Sequence, residues 1–572
     1  MASTSSRSKS PFSRRAHLFG PAFLLAIALF GLFGGSCSGG RPTTPTEITD
    51  EGLPRPTARL VIATDLLGYL EPCGCQTRPL GGIDKMAATL ASVRRDGVPT
   101  AMLAAGDMLF MGTRHGGLTG GDANVQEIWK AEALVGILNR LRLAAAAPGT
   151  TDLSMGLPQF ATLAHAAQFP LLAAGVTIEG DPLHAGPVLQ QLGNLKIGIF
   201  GVSELEQPDG SLTAGVTRAL DPTMAARTSV DQLRRQGADI IVGLVRGSRR
   251  TSRRIANDVN GIDFLVTGGL NEEAVVAPNA VGHTTLLHAG RQGQRVVVVD
   301  LFRRRPGTFT DVSAWTRRAE RETLTRSMTD LRQRIAGWER DSNVSPTDLA
   351  AQRGRLAEMQ ARYEQLARRP AAAGNSFAAR VIELGPEIAG DPAVATLVDQ
   401  YDARVNDHNR VAFANLAARP VGDGEPYYVG SSECATCHQA EHRWWASTPH
   451  GNAYATLQTR HKEFNLSCVG CHVTGYNQPG GSTVTHNAGL INVGCETCHG
   501  PGSAHAADPA SASIARVDAP ETICLQCHTQ EHSDRFNYST YRAMLIAPGH
   551  GQPEHSALNQ IHPNRLAAWN VQ

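Results

Sequence analysis

Four copies of Cys-x-x-Cys-His fall in the last quarter of the chain: Cys434-Cys437-His438, Cys468-Cys471-His472, Cys495-Cys498-His499 and Cys524-Cys527-His528. They use eight of the eleven cysteines. This is the attachment pattern of c-type haem, in which two thiols form thioethers with vinyl groups and the adjacent histidine ligates iron. Disulfides or paired zinc ribbons would not require histidine directly after every second cysteine. The repetition also constrains folding. A region built around four haem c groups packs against porphyrin faces in place of a side-chain core, which suits a chain with 5% aromatic residues, and its folding there follows cofactor attachment.

At 572 residues the chain exceeds one compact core and reads as about three to four units. Its 53 Lys+Arg against 52 Asp+Glu leave no basic footprint, so no nucleic-acid partner is expected. The first 36 residues read as an export signal: Arg7, Lys9, Arg14 and Arg15 precede an apolar run from Leu18 through Phe33 that ends too soon for a membrane span. Gly34-Gly35-Ser36-Cys37 resembles a lipobox, with Gly where Leu is usual, and the tether over 37–57 begins with a Ser/Gly/Pro/Thr-rich stretch. Lipidation of Cys37 would tether the mature protein to the membrane from the periplasmic side.

Between residues 58 and 305, short apolar runs alternate with amphipathic stretches: Leu60–Ala63, Ala101–Ala104, Lys196–Phe200, Asp239–Val242, Phe264–Val266 and Arg295–Val299. That alternation predicts an α/β unit with a buried sheet, its functional edge at the loops after the strands. A helical hairpin interrupted at Asn343-Val344-Ser345-Pro346 follows over 306–370. A connector over 371–425, with one short helix from about Pro392 to Asn409, leads to a mainly α, loop-rich tetrahaem domain over 426–572.

The stretch Ala63-Thr64-Asp65-Leu66-Leu67-Gly68, with Gly81-Gly82, Gly106-Asp107 and Leu171-Leu172-Ala173-Ala174, resembles the metallophosphatase domain of the 5′-nucleotidase (UshA-type) family. The resemblance implies a four-layer sandwich and a two-metal centre. Asp65 and Asp107 keep their places, but Leu67 stands for a histidine, Gly149-Thr150-Thr151-Asp152 for Gly-Asn-His-Asp/Glu, Val245-Arg246 for Ser-His, and Gly268-Gly269-Leu270-Asn271-Glu272 for Gly-Gly-His-x-His. Leucine, threonine and arginine replace no imidazole as metal ligands. No phosphatase activity is therefore expected, the alternative being a single-metal hydrolase on Asp65, Asp107 and Asp152. Cys73-Gly74-Cys75 follows the first motif, and its redox use as a dithiol or a structural role are the two readings.

Val429–Cys434, Trp444–His450, Cys468–Gly475 and Val493–Gly502 closely resemble the tetrahaem cytochrome c-554 family. From residue 401 onward Met544 is the one methionine, against ten histidines outside the motifs, so bis-histidine iron of low potential is favoured. The family pattern assigns His450 to the haem held by His499, His505 to that of His438 and His550 to that of His528. It leaves the haem of His472 five-coordinate, with His442, His461, His486 and His532 as spare candidates to close it. The expected function is electron transfer with an envelope redox partner. A haem reductase or oxidase of a small nitrogen or sulfur compound at His472 is the alternative.

Overall fold

The computed structural model describes residues 53–72, 78–111, 121–179, 183, 186–207, 209–269, 277–341, 343–368, 374–529, 532–533 and 535–546. Residues 1–36, expected to be an export signal, Cys37, the pair Cys73 and Cys75, residues 270–272 and His550 lie outside that set.

The α/β region is two six-stranded sheets packed face to face. Its elements in chain order are β1 (Ala58–Thr64), α1 (Ile83–Arg94), β2 (Thr100–Ala105), α2 (Gly121–Arg140), β3 (Leu143–Ala147), α3 (Leu157–Ala166), β4 (Val176–Ile178), β5 (Val188–Leu192), β6 (Leu195–Ser203), β7 (Val216–Arg218), α4 (Pro222–Arg235), β8 (Ile240–Arg246), α5 (Arg249–Asp258), β9 (Phe264–Gly268), β10 (Asn279–Val281), β11 (Thr284–Leu287), β12 (Arg295–Phe302) and β13 (Phe309–Asp311). The hairpin α6 (Ala314–Trp338) and α7 (Pro346–Gln365) then precedes β14 (Asn375–Glu383) and α8 (Pro392–Ala412). One sheet has the order β13-β14-β12-β1-β2-β3 and the other β10-β11-β9-β8-β6-β5. Strands β1, β2 and β3 run parallel, as do β6, β8, β9 and β11. Their apolar, β-branched runs are buried along both faces, as central parallel strands require.

Leu60, Ile62, Leu103, Ile199, Val242 and Phe264 fill the space between the sheets. At about 25 cal/mol per Å² of apolar surface, each contributes about 1.5–3 kcal/mol. Helices α1, α2 and α8 cover the outer face of the first sheet, and α4 and α5 that of the second. Four layers result, as the resemblance implied.

The connector does not remain a connector. Its first half becomes β14, paired antiparallel with β12 from Arg295↔Glu383 to Phe302↔Ser376, and its second half becomes α8, which buries Val394, Val398, Tyr401 and Val405 in the core under the first sheet. The α/β unit therefore closes only after residue 412, with the hairpin inserted between β13 and β14. That hairpin is solvated, with α7 burying no side chain and Arg362 bridging to Glu320 at 2.8 Å.

The C-terminal region consists of short helices: α9 (Ser431–Cys434), α10 (Gln439–Ala446), α11 (Ala453–Gln458), α12 (Val469–His472), α13 (Cys495–His499), α14 (Ser503–Ala507), α15 (Glu521–Cys524) and α16 (Tyr538–Leu545). Its apolar clusters are small, one of Tyr454, Leu457, Val469 and Val473 and another around Trp444. The buried Glu496 carboxylate does part of the work of a core by accepting from Val429 N at 2.9 Å, Gly430 N at 2.7 Å and Gly502 N at 2.8 Å. Among the described residues no helix is long and apolar enough to cross a membrane.

Candidate functional site

The motifs form helical turns. His438 N bonds Cys434 O at 2.9 Å, and His528 N bonds Cys524 O at 2.8 Å. A turn closed in this way brings positions i, i+3 and i+4 to one side, so both sulfurs and the imidazole face a single partner. Backbone carbonyls aim the rings: His472 Nδ1 donates to Ala453 O at 2.6 Å, His499 Nδ1 to Arg516 O at 2.7 Å and His505 Nδ1 to Ala512 O at 2.8 Å. That tautomer leaves the lone pair on Nε2, the atom a metal takes.

Two pairs of imidazoles oppose one another. His438 and His505 have ring centres 6.4 Å apart, and His450 and His528 have theirs 6.1 Å apart. Either pair could hold one metal ion between its two imidazoles, so donor type and spacing both fit haem. His450 thus lies beside His528, whereas the family pattern assigned it to the haem of His499 and assigned His550, outside the described residues, to that of His528. The segment from His438 to His450 is short enough to return through α10, whose Trp444 donates to Leu545 O at 2.6 Å and so packs it against the fourth-motif side. Burial pulls His450 down to about 4, with the nearby His528 and His472 adding to the effect, and burial also lowers His472 and His528. All three rings are neutral at pH 7, the form that ligates.

The four motifs are not ordered in space as in sequence. The Cys434 and Cys495 sulfurs are within hydrogen-bonding reach, Cys498 and Cys524 are within electrostatic range, and His450 is within electrostatic range of both His528 and His472. The spare histidines have other surroundings: His442 packs on Trp445 at 5.2 Å, His486 Nδ1 meets Thr485 Oγ1 at 3.2 Å, His532 Nδ1 meets Thr529 Oγ1 at 3.0 Å, and His461 is exposed.

The second motif is held by the α/β region. Gln126 of α2 donates to Asn465 Oδ1 at 3.0 Å and Ser467 Oγ at 3.2 Å, and accepts from Leu466 N at 3.0 Å and Asn409 Nδ2 at 3.1 Å. Asn406 and Asn409 of α8 bond Phe464 N at 3.0 Å and Phe464 O at 2.9 Å. Lys462 pairs with Glu71, from the loop after β1, and with Asp402 at 3.1 Å. Sequence reasoning missed this junction. The signal was there: Asp402, Asn406 and Asn409 are polar residues on the stripe that Val394, Val398 and Val405 define.

At the C-terminal edge of the parallel strands, Asp65, Asp107, Asp152 and Arg246 come together. Gly106, at φ 107°, lets the chain approach so closely that a Cβ there would collide with the Asp65 carboxylate. Asp65 accepts from Gly269 N at 2.8 Å and Asp107 N at 3.1 Å, and Asp152 from Met108 N at 2.8 Å, Leu109 N at 2.7 Å and Gly149 N at 2.8 Å. Asp107 takes Arg246 Nη2 at 3.0 Å and Thr151 N at 2.9 Å. Burial lifts both Asp65 and Asp152 to about 7. The acceptor capacity that two metals would use is spent on backbone amides and a guanidinium, so these residues do not suit a dinuclear centre.

Residues 433–500 match the family described as Cytochrome c554 and c-prime. A stretch of 91 residues is 35% identical to cytochrome c-554 of Nitrosomonas europaea, covering 13% of this chain and 39% of that protein. Over 238 residues the chain is 26% identical to the snake venom 5′-nucleotidase of Naja atra, covering 39% of this chain and 42% of the relative. The solved 5′-nucleotidase precursor from Thermus thermophilus superposes with a TM-score of 0.42 at 18% identity, over 63% of this chain and 60% of that one. The chain thus spans 39% and 42% of the length of these two curated relatives. One polypeptide therefore joins an α/β region similar to 5′-nucleotidases to a C-terminal region similar to the Cytochrome c554 and c-prime family.

Proposed function

We propose that the chain is an envelope electron-transfer protein carrying four haem c groups, with an α/β region that has lost phosphoester hydrolysis. The opposed imidazole pairs, His438 with His505 and His450 with His528, carry this reading. Once bound, each haem iron supplies a one-electron couple. The four cysteine pairs would anchor the groups, His438, His472, His499 and His528 would supply their motif ligands, and His450 and His505 would each supply a second. His550, which the family pattern assigned to the haem of His528, lies outside the described residues. Two imidazoles per iron favour low potential. Arg246 supports the loss of hydrolysis, since its guanidinium sits on Asp107 where a metal would need that carboxylate.

Export through residues 1–36, a lipid on Cys37 and a redox protein partner complete the proposal. Cys73 and Cys75 are its thiol input: Glu71, two residues before Cys73, is ion-paired with Lys462, six residues before Cys468. The second reading, chemistry on a small nitrogen or sulfur species at His472, is favoured by the spare histidines lying in other surroundings.

The matured protein should show Soret absorption, the mass of four haems, and uptake of four electrons per chain; a colourless protein defeats the proposal. Unchanged spectra under carbon monoxide or nitric oxide would remove the second reading. Phosphate-ester hydrolysis with added manganese that vanishes in Asp107→Ala would overturn the silent α/β region and support a single metal on Asp65, Asp107 and Asp152.

A further inference from the structure

Three ionisable side chains meet where the α/β region joins the second motif, Asp402 buried, Lys462 nearly so and Glu71 part-exposed. Lys462 is paired with Glu71 and lies 3.1 Å from Asp402 Oδ2. Asp402 is 4% exposed, and its Oδ1 meets no donor among the described residues. The Glu71 carboxyl lies within hydrogen-bonding reach of Asp402. Two carboxylates at that range repel unless one carries a proton, and a shared proton supplies the donor that Oδ1 lacks. One ammonium balances one carboxylate, so burial favours the other in its neutral form. The remaining groups that face the cluster are Tyr401 of α8, a buried phenol that burial raises well above its ordinary value, Glu127 of α2, paired with Lys130 at 2.7 Å, and Cys468, whose sulfur is within electrostatic reach of Lys462 and Tyr401.

We propose that Asp402, held between Lys462 and Glu71, binds a proton whose occupancy is tied to the redox state of the haem attached at Cys468, so that electron arrival at the domain junction draws in a proton. The inference rests on the haem reading above. In the step, one electron from a donor protein takes ferric iron to ferrous, and one proton from solvent joins the Asp402 carboxylate, ionised before the electron arrives, so the junction gains no net charge. An added electron beside Cys468 makes a neighbouring anion more costly in a low-dielectric site and strengthens proton binding. By reciprocity, loss of the proton disfavours reduction, and the potential falls as pH rises. Lys462 does not take this role: burial lowers it, but Glu71 and Asp402 outweigh burial and hold it above its ordinary value, charged throughout. Burial lifts Asp402 to about 7, which puts the coupling above neutral pH.

The test is a redox titration of the haem-loaded full chain across the neutral range, with Asp402→Asn and Glu71→Gln alongside. One of the four components should be flat below neutral pH and then fall by up to tenfold in its reduction equilibrium per pH unit, about 59 mV for a one-electron couple. Either substitution should flatten that component alone. Reduction of the unaltered protein in weak buffer should also take up protons, by an amount that Asp402→Asn lowers. A loaded protein whose four potentials ignore pH, or folded and loaded variants that keep both slope and uptake, would overturn the proposal. A preparation without haem absorption fails at the earlier step and is recognised before any titration.

Discussion

Arg246 shows how one side chain decides what the carboxylate edge can do. Its guanidinium holds Asp107 at 3.0 Å and also bonds Glu204 O at 2.7 Å, so it ties the ends of two strands to a group that would otherwise be a buried anion. Arg246→Ala should destabilise the α/β region by about 3 kcal/mol in urea unfolding, because it leaves that charge unpaired. A change under about 0.5 kcal/mol would mean the pair is solvated. Asp65 offers a pH test at the same scale. Burial lifts its carboxyl from 3.8 to about 7, so the folded state keeps a proton that the unfolded chain has already released. The stabilisation is complete below about pH 4 and is lost as pH rises to about 7. Melting temperatures of the parent protein relative to Asp65→Asn should fall across that window, and a constant difference would contradict the assignment.

At the scale of elements, the helical turns present the motifs and the loops between them choose partners. His450→Ala should open one iron to carbon monoxide. That new site should vanish when Cys524 and Cys527 are also replaced, and persist when Cys495 and Cys498 are. The reverse outcome would restore the His450–His499 assignment. Each motif was legible because its chemistry lies within five residues. The pairing was not, since nothing in the run between motifs says which distant turn it returns to. The same contrast holds at β14. Its apolar residues were visible, but the inserted hairpin parts it from β12 in sequence, and only sheet pairing reunites them. Gln126→Ala tests the junction: it leaves Leu466 N without its acceptor, at about 1–3 kcal/mol, and takes one of two acceptors from Asn409 Nδ2, so limited proteolysis between α8 and α9 should speed up. Unchanged cleavage would show that the junction contributes little to holding the two regions together.

For the whole molecule, the two regions should depend on different sources of stability. The α/β region has three large apolar clusters, whereas the C-terminal region has a few residues around Tyr454 and Trp444. Replacing all eight motif cysteines with serine should leave the α/β region folded by circular dichroism and the C-terminal region unprotected in hydrogen exchange. Protection retained there would show that its side chains suffice without porphyrin. What the amino-acid order determined alone was short-range: the strand runs, the hairpin, the attachment turns and the missing imidazoles are properties of neighbours along the chain. The facing of His450 and His528, the guanidinium on Asp107 and the Lys462–Glu71–Asp402 cluster join residues tens to hundreds of positions apart. Packing decided these, because only the folded chain brings such groups within range of a hydrogen bond or a charge.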